Sequence, residues 1–252
     1  MTLIADLSGK RALVTGASSE GFGRYFAKFL TEAGAEVVAS ARRLEPLHEL
    51  VAELNQGREL ASAVVLDVTD AKHVKEVVEE FGPFDIVVNN AGASVLKPVL
   101  EQTEDDYDLV VNTNMKGVWH VARQCAAALI RANKPGSIIN IASITGLRQV
   151  GGLTPYAASK AAVIQLTKQM ALELARYNIR VNAIAAGYFS SDLNRDYFET
   201  ESGHALVRRV PMRRLGSFAD LKGPLLLLSS DMSAFMTGSV LAVDGGHLVS
   251  SL

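Results

Sequence analysis

A single cysteine, Cys125, occurs among the 252 residues, so no intrachain disulfide can form. A disulfide-stapled secreted scaffold is thereby excluded, and a reducing compartment, the cytoplasm, is the expectation. No apolar run approaches the roughly eighteen residues that a membrane-spanning helix needs, so no membrane partner is expected. The opening MTLIADLSGK lacks the long apolar core of a signal peptide. Neither sign of charge dominates. Lys and Arg number 25 and Asp and Glu 27, a net charge of −2. With no basic excess there is no general attraction to nucleic acid or anionic lipid, and no nucleic-acid partner is expected. His204 and His247 stand alone, without metal-ligand spacing, and no metal site is expected. There is no Pro/Gly/Ser-rich linker, long charge run or internal repeat, which points to one domain over 1–252. What the chain does have is apolar side chain, 48% of residues, enough for a large core.

Short apolar runs alternate with longer helical patterns. The patterning predicts strands over Arg11–Thr15, Glu36–Ala41, Ala61–Leu66, Asp85–Val88, Gly136–Ile141, Arg180–Ile184 and Val240–Val243. It predicts helices over Gly23–Ala33, Leu44–Leu54, Ala71–Phe81, Glu104–Asn133, Pro155–Tyr177 and Ala219–Ser230. Strand–helix alternation implies an α/β fold, with a parallel sheet covered by helices on both faces. Strands apolar on both sides fit that burial. In such a sheet ligands sit at the carboxyl ends of the strands, so chemistry is to be sought just after each strand.

The first strand runs into Gly16-Ala17-Ser18-Ser19-Glu20-Gly21-Phe22-Gly23 and then a helix. Glycines let the backbone turn tightly and approach a pyrophosphate, whose charge meets the helix N-terminus. The plain alternative is an ordinary glycine-rich turn; placement after the first strand favours dinucleotide binding. The second strand ends in Ala39-Ser40-Ala41-Arg42-Arg43, with no acidic residue to hold both ribose hydroxyls of NAD. Arg42 or Arg43 could pair with the 2′-phosphate of NADP, unless the two are a solvated pair opening a helix. If Glu20 faces the adenosine ribose, it would repel that phosphate.

Tyr156 and Lys160 lie four apart on a predicted helix, on one face. A nearby ammonium lowers the pKa of a phenol, and the pair then suits proton transfer to or from an alcohol oxygen. Ser143, thirteen residues before Tyr156, follows a predicted strand, where a hydroxyl can hold a carbonyl or a developing alkoxide. Helix-capping is the alternative role. Asn114 falls inside the long helical segment, an intrinsically poor place for Asn, which suggests a task or a tether at a kink.

Taken together, these residues resemble the short-chain dehydrogenase/reductase family in its compact single-domain branch, from Leu7 to about His247. The glycine-rich loop, Asn89-Asn90-Ala91-Gly92, Ser143, Tyr156-x-x-x-Lys160 and Asp244-Gly245-Gly246 occur in family order. The resemblance implies a Rossmann-type doubly wound domain with a seven-stranded parallel sheet, a nicotinamide cofactor and a homotetramer. It implies a catalytic set of Asn114, Ser143, Tyr156 and Lys160. Tyr156 would be the acid/base. Lys160 would lower the Tyr156 pKa and bind the nicotinamide ribose. Ser143 would orient the substrate oxygen, and Asn114 would hold a water in the proton relay. The implied cofactor contacts are Gly16, Ser18, Gly21, Phe22, Gly23, Arg42, Asp67, Val68, Asn89, Ala91, Gly92, Gly187, Phe189 and Ser191, besides Tyr156 and Lys160. NADP(H) is the preferred cofactor, with NAD(H) as the alternative. Two departures stand out. Four residues rather than three separate Gly16 from Gly21, and Ala186 stands where the family usually has Pro.

The expected reaction interconverts a ketone and a secondary alcohol by hydride transfer, with Tyr156 donating the proton. Candidate substrate contacts are Ser94, Ile144, Leu147, Tyr188, Leu193 and Tyr197, beside a variable loop over about 187–210. Their largely apolar character points to a small hydrophobic ketone or secondary alcohol. The alternatives are a β-ketoacyl-carrier reductase and, in another class, a nucleotide-binding sensor without turnover. Trp119 and its apolar neighbours belong either to the core or to a subunit surface.

Overall fold

A computed structural model describes residues 5–190 and 195–250. The strands are β1 (Arg11–Thr15), β2 (Glu36–Ala41), β3 (Ala61–Val65), β4 (Ile86–Asn89), β5 (Gly136–Ser143), β6 (Ile179–Ala186) and β7 (Val240–Val243). Among the described residues these seven form one parallel sheet in the order β3-β2-β1-β4-β5-β6-β7. The chain leaves β1 toward one edge through β2 and β3, then returns to pair β4 with β1 and fills the other edge. The switch in direction lies between β1 and β4, and it opens a crevice at their carboxyl ends. This is the doubly wound Rossmann-type arrangement.

The helices are α1 (Phe22–Glu32), α2 (Glu45–Leu54), α3 (Ala71–Phe81), α4 (Glu104–Val111), α5 (Val118–Arg131), α6 (Thr154–Leu174), α7 (Arg195–Phe198), α8 (Glu201–Arg209) and α9 (Lys222–Ser229). Strand side chains alternate between two cores, because successive residues point to opposite faces. Ala12 and Val14 of β1 join Phe26, Leu30, Leu47, Leu50 and Leu225 on the side of α1, α2 and α9. Leu13 joins Val74, Val78, Phe84, Val121 and Leu129 on the side of α3 and α5. Both sets are apolar, which is why the sequence shows no clear alternation. Trp119 is exposed on α5 with the Arg123 guanidinium 5.5 Å from its ring centroid, so it is not part of the core.

Three features differ from the sequence reading. The long helix expected over Glu104–Asn133 is interrupted by a π-helical turn, Asn112–Gly117, which holds Asn114. Such turns widen the helix by one residue and redirect the side chains it carries. Strands β5 and β6 also run two residues further than expected. Ala142 pairs with Ala185 and Ser143 with Ala186, so each extension supplies the other's ladder partner. Ser143 is therefore the last residue of a strand rather than a residue of the loop that follows one. Ala186, too, lies inside the sheet, paired with Val243 on its other side, and its place is held by two strands rather than by a proline ring. Third, the described part of the variable loop contains α7 and α8. The Thr200 hydroxyl accepts from the Gly203 N–H and caps α8.

Phe84 is fully buried between β4 and the helices of the second core. Replacing it by Ala is expected to cost about 3–5 kcal/mol of unfolding free energy. A denaturant titration reads this as a lower midpoint, and a loss under about 1 kcal/mol would contradict the packing described.

Candidate active site

The crevice is a cleft of about 690 Å³ across the carboxyl ends of the strands. Its floor is set by close approach of two loops. The Thr15 hydroxyl accepts from the Asn90 and Ala91 N–H groups, both at 3.0 Å. The Asn90 amide donates to the Thr15 and Gly16 carbonyls at 2.9 and 3.1 Å. Gly16 has φ +72°, and a Cβ there would lie 2.7 Å from the Ala91 Cα. A Cβ on Gly23 would lie 2.4 Å from the Gly16 carbonyl oxygen. Only glycine fits either place.

The extra loop residue is absorbed in a three-residue turn. The Gly21 N–H donates to the Ser19 carbonyl at 2.8 Å, and Glu20 stands at the apex. The Glu20 carboxylate pairs with Arg24 Nε at 3.2 Å, one turn along α1. No side chain caps α1. Its first-turn N–H groups, beside Gly21, Phe22 and Gly23 of the cleft wall, suit an anion. Two guanidinium groups follow β2. Arg42 is exposed on the cleft, and Arg43 donates to the Ser18 carbonyl at 3.1 Å and the Ser18 hydroxyl at 3.4 Å. Leu66, Asp67 and Val68 continue this wall, with the Asp67 carboxylate accepting from the Thr69 N–H and hydroxyl.

At the other end stand Ser143 of β5 and Tyr156 and Lys160 from the first two turns of α6. The four-residue spacing puts phenol and ammonium on one side of α6, with Lys160 Nζ 5.6 Å from the phenol ring centroid. Lys160 is buried and donates to the Ile141 carbonyl at 2.7 Å. Loss of water around the ammonium brings its pKa down to about 8. Burial likewise raises the Tyr156 phenol, and the Ser143 hydroxyl beside it acts in the opposite direction, favouring the phenolate. The Ser143 oxygen accepts from both the N–H and the hydroxyl of Thr145, at 3.2 and 3.0 Å. Its own proton is thus left to point toward the phenol side.

Asn114 is fully buried in the π-helical turn. Its carbonyl oxygen accepts from the Ala93 N–H at 2.7 Å, and its amide donates to the Ala93 carbonyl at 2.9 Å and the Ser159 hydroxyl at 3.0 Å. Ser159 in turn donates to the Tyr156 carbonyl at 2.7 Å. The Asn114 side chain is therefore a tether between the loop after β4 and α6.

Of the residues singled out in the sequence, Gly16, Ser18, Gly21, Phe22, Gly23, Arg42, Asp67, Val68, Ala91, Gly92, Ser94, Ser143, Tyr156, Lys160, Gly187, Tyr188 and Phe189 all line the cleft. Asn89 does not. It is buried, its amide donates to Asn140, and its neighbour Asn90 lines the wall instead. Strand alternation sends the two asparagines to different places. Ile144 is buried, Leu147 and Tyr197 are exposed, and none of the three is among the residues that line the cleft. Ser191 and Leu193 lie outside the described residues. Sequence reasoning passed over Asn90, Thr113, Thr145, Ser159 and Phe218, while Arg43, weighed there beside Arg42, does line the cleft. A signal existed for Asn90, since it belongs to the motif quoted. None existed for Phe218, which arrives from far along the chain to stack on Tyr25 at 4.2 Å and meet Phe22 edge-on.

The arrangement unites an anion-receptive helix end, two cations and a half-buried phenol paired with a buried ammonium, with a hydroxyl beside them. It can bind a long phosphorylated ligand and move a proton to or from an oxygen held near Ser143. Among the described residues no helix is long and apolar enough to cross a membrane, and no cluster of metal-ligating side chains occurs.

Comparison with known proteins fits this geometry. A family model described as enoyl-(acyl carrier protein) reductase matches residues 16–247. The 3-oxoacyl-[acyl-carrier-protein] reductase of Thermotoga maritima is 38% identical over 247 residues, covering 96% of this chain and 99% of that protein. The gluconate 5-dehydrogenase of Gluconobacter oxydans is 39% identical over 250 residues, covering 97% of each. The crystal structure of a gluconate 5-dehydrogenase from Burkholderia cenocepacia J2315, in complex with NADP and tartrate, superposes with a TM-score of 0.93 at 36% identity, covering 98% of each chain.

The Lys160 shift has a consequence for stability. The folded chain releases this proton near pH 8, the unfolded chain only near the ordinary lysine value of 10.5. Between those values the unfolded state binds more protons, so the burial penalty fades as pH rises, by at most about 1.4 kcal/mol per pH unit. Thermal unfolding of the wild type and of Lys160→Met should therefore diverge with pH. The wild type should gain on the variant from pH 7 to pH 10, and a constant difference would refute the shift.

Proposed function

This chain belongs to the short-chain dehydrogenase/reductase family and is an oxidoreductase of the ketone/secondary-alcohol type; from that premise we propose that it uses NADP(H) and acts on a small hydroxylated ketone. The observation that carries the chemistry is the Ser143–Tyr156–Lys160 group at the floor of a cleft whose far end is cationic. A dinucleotide fits the residues present. Gly16 and Gly23 pack against Ala91, Asn90 and the Gly16 carbonyl so closely that neither position admits a Cβ, which keeps the loop backbone low beneath the cleft, and the uncapped start of α1 opens onto it. Gly21, Phe22 and Gly23 would meet the pyrophosphate, and Asp67 and Val68 the adenine. Arg42 and Arg43, with no acidic residue at the end of β2, favour a 2′-phosphate over a bare ribose diol. NADP in the Burkholderia cenocepacia relative supports the same reading.

When bound, the nicotinamide supplies or accepts the hydride at the carbonyl carbon. The remaining work falls to the chain. Ser143 holds the substrate oxygen through the proton that Thr145 leaves free. Tyr156 gives its phenolic proton to that oxygen in reduction and takes it back in oxidation. Lys160 stabilises the phenolate left behind, its ammonium close to the ring and poised near neutrality. Asn114 serves the proton path as a tether, keeping the loop after β4 and the start of α6 in register.

The described lining beside Tyr156 carries hydroxyl groups, from Ser94, Ser143 and Tyr188. The aliphatic candidates Ile144 and Leu147 do not contribute to it, nor does Tyr197. This shifts the balance from a hydrophobic ketone toward a hydroxylated one, in keeping with relatives named gluconate 5-dehydrogenase. A β-ketoacyl-carrier reductase is the second reading, favoured by the name of the Thermotoga maritima relative. Oxidation of NADPH against a panel of keto-sugar acids, ketopentoses, acetoacetyl thioesters and alicyclic ketones separates them. Turnover is expected with the keto-sugars. Preference for the thioester would establish the second reading, and no turnover with any class would point to a nucleotide-binding sensor.

Tyr156→Phe is expected to lower turnover by on the order of a hundredfold or more, with NADPH binding retained in a fluorescence titration. Unchanged turnover would refute the role of the phenol.

A further inference from the structure

The acidic residue that the second strand lacks is present elsewhere, in the extra position of the glycine-rich loop. Glu20 lines the same end of the cleft as Ser18, Arg42 and Arg43. Its side chain is half exposed. A free carboxylate there would oppose a ribose phosphate and attract ribose hydroxyls. Yet it is not free, because Arg24 sits one turn further along α1 with Nε 3.2 Å away. The same guanidinium reaches Glu53 of α2 through Nη2 at 2.5 Å, and Lys28 meets that second carboxylate at 3.3 Å. Arg24 is thereby fixed from two sides and is less exposed than Glu20.

We propose that Arg24 is a specificity-determining residue that masks Glu20, so that the adenosine end of the cleft accepts the 2′-phosphate of NADP(H) despite an acidic residue in the loop. This rests on the NADP(H) reading above. The charge balance is the reason. Arg42 and Arg43 contribute two positive charges at that end. With Glu20 paired to Arg24 the pair adds nothing, and the field stays positive. With Arg24 removed, Glu20 offsets one of the two cations and faces a group that carries nearly two negative charges itself. The mask also accounts for the tolerance of an inserted acidic residue. The three-residue turn at Ser19–Gly21 carries the carboxylate outward to the face of α1 on which residue 24 falls.

The test is a set of fluorescence titrations with NADPH and NADH on the wild type, Arg24→Met, Glu20→Gln, the double variant Arg24→Met/Glu20→Gln, and Glu53→Gln. The wild type should bind NADPH more tightly. Arg24→Met should lower the NADPH-to-NADH affinity ratio by roughly fivefold or more at low salt. Its NADH affinity should hold, which also shows that the variant is folded. The double variant should recover the wild-type ratio, while Glu20→Gln alone and Glu53→Gln should leave it within about twofold. A wild-type ratio retained in Arg24→Met overturns the mask and leaves the NADP(H) reading standing. Failure of the double variant to recover the ratio also overturns it, since the effect would then not run through Glu20. A wild type that binds NADH more tightly overturns the NADP(H) reading, and the mask with it.

Discussion

The stitch between the loops after β1 and β4 is the constraint on which the rest of this structure depends. Asn90 donates to the Thr15 hydroxyl and to the Thr15 and Gly16 carbonyls across the switch point, and Gly16 and Gly23 let the two backbones approach to contact. These bonds satisfy backbone groups that would otherwise be left open at the floor of a crevice, where an unpaired donor or acceptor is costly. They also decide where α1 begins. Because Gly23 lies against the Gly16 carbonyl, the N-terminus of α1 is drawn over the carboxyl end of β1. The cleft is therefore a consequence of close packing as much as a space left between elements.

A second constraint is the burial of charge and polarity around α6. Lys160 is held in a place that disfavours its ammonium, with one carbonyl as its hydrogen-bond partner. A fold selected for stability alone would put an apolar side chain there. The same burial brings the amine into the range where it can give and take protons near neutrality, and that is a functional property. Asn114 and Ser159 belong to this tension. They bind the π-helical turn to the first turn of α6 with a chain of hydrogen bonds, all inside the protein, and so fix the phenol relative to the loop after β4. Their polarity is fully satisfied, which is the condition under which a buried network rigidifies rather than weakens a core.

At the opposite end of the cleft the governing quantity is net charge rather than packing. An inserted acidic residue, two arginines after β2 and a third arginine on α1 share a small volume. Their separate positions in the chain, 20, 24, 42 and 43, give no direct indication that they act together. Arg43 is partly committed to the loop through Ser18, whereas Arg42 is exposed. The region thus divides into one cation that shapes the loop, one that neutralises it and one that remains open to a ligand.

Periodicity and turn chemistry were enough to read the parallel α/β fold, most strand and helix bounds, and the phenol–ammonium pair on one helical face. These are local properties. A strand of Val and Ile and a four-residue spacing on a helix are each decided by neighbours in sequence. The resemblance carried Ser143 and the cofactor wall, and most of those residues do meet in the cleft. What stayed hidden depends on partners far apart along the chain. The two-residue extensions of β5 and β6 exist because each strand supplies the other's ladder. Asn90 rather than Asn89 lines the cleft because successive residues at the end of β4 face different sides. The π-helical turn becomes tolerable because Ala93 and Ser159 meet the Asn114 amide. The sequence by itself determined which elements form and which chemical groups are available. The tertiary structure alone decided which of those groups face one another, because hydrogen bonds, burial and charge pairing depend on distances in space that local pattern does not encode.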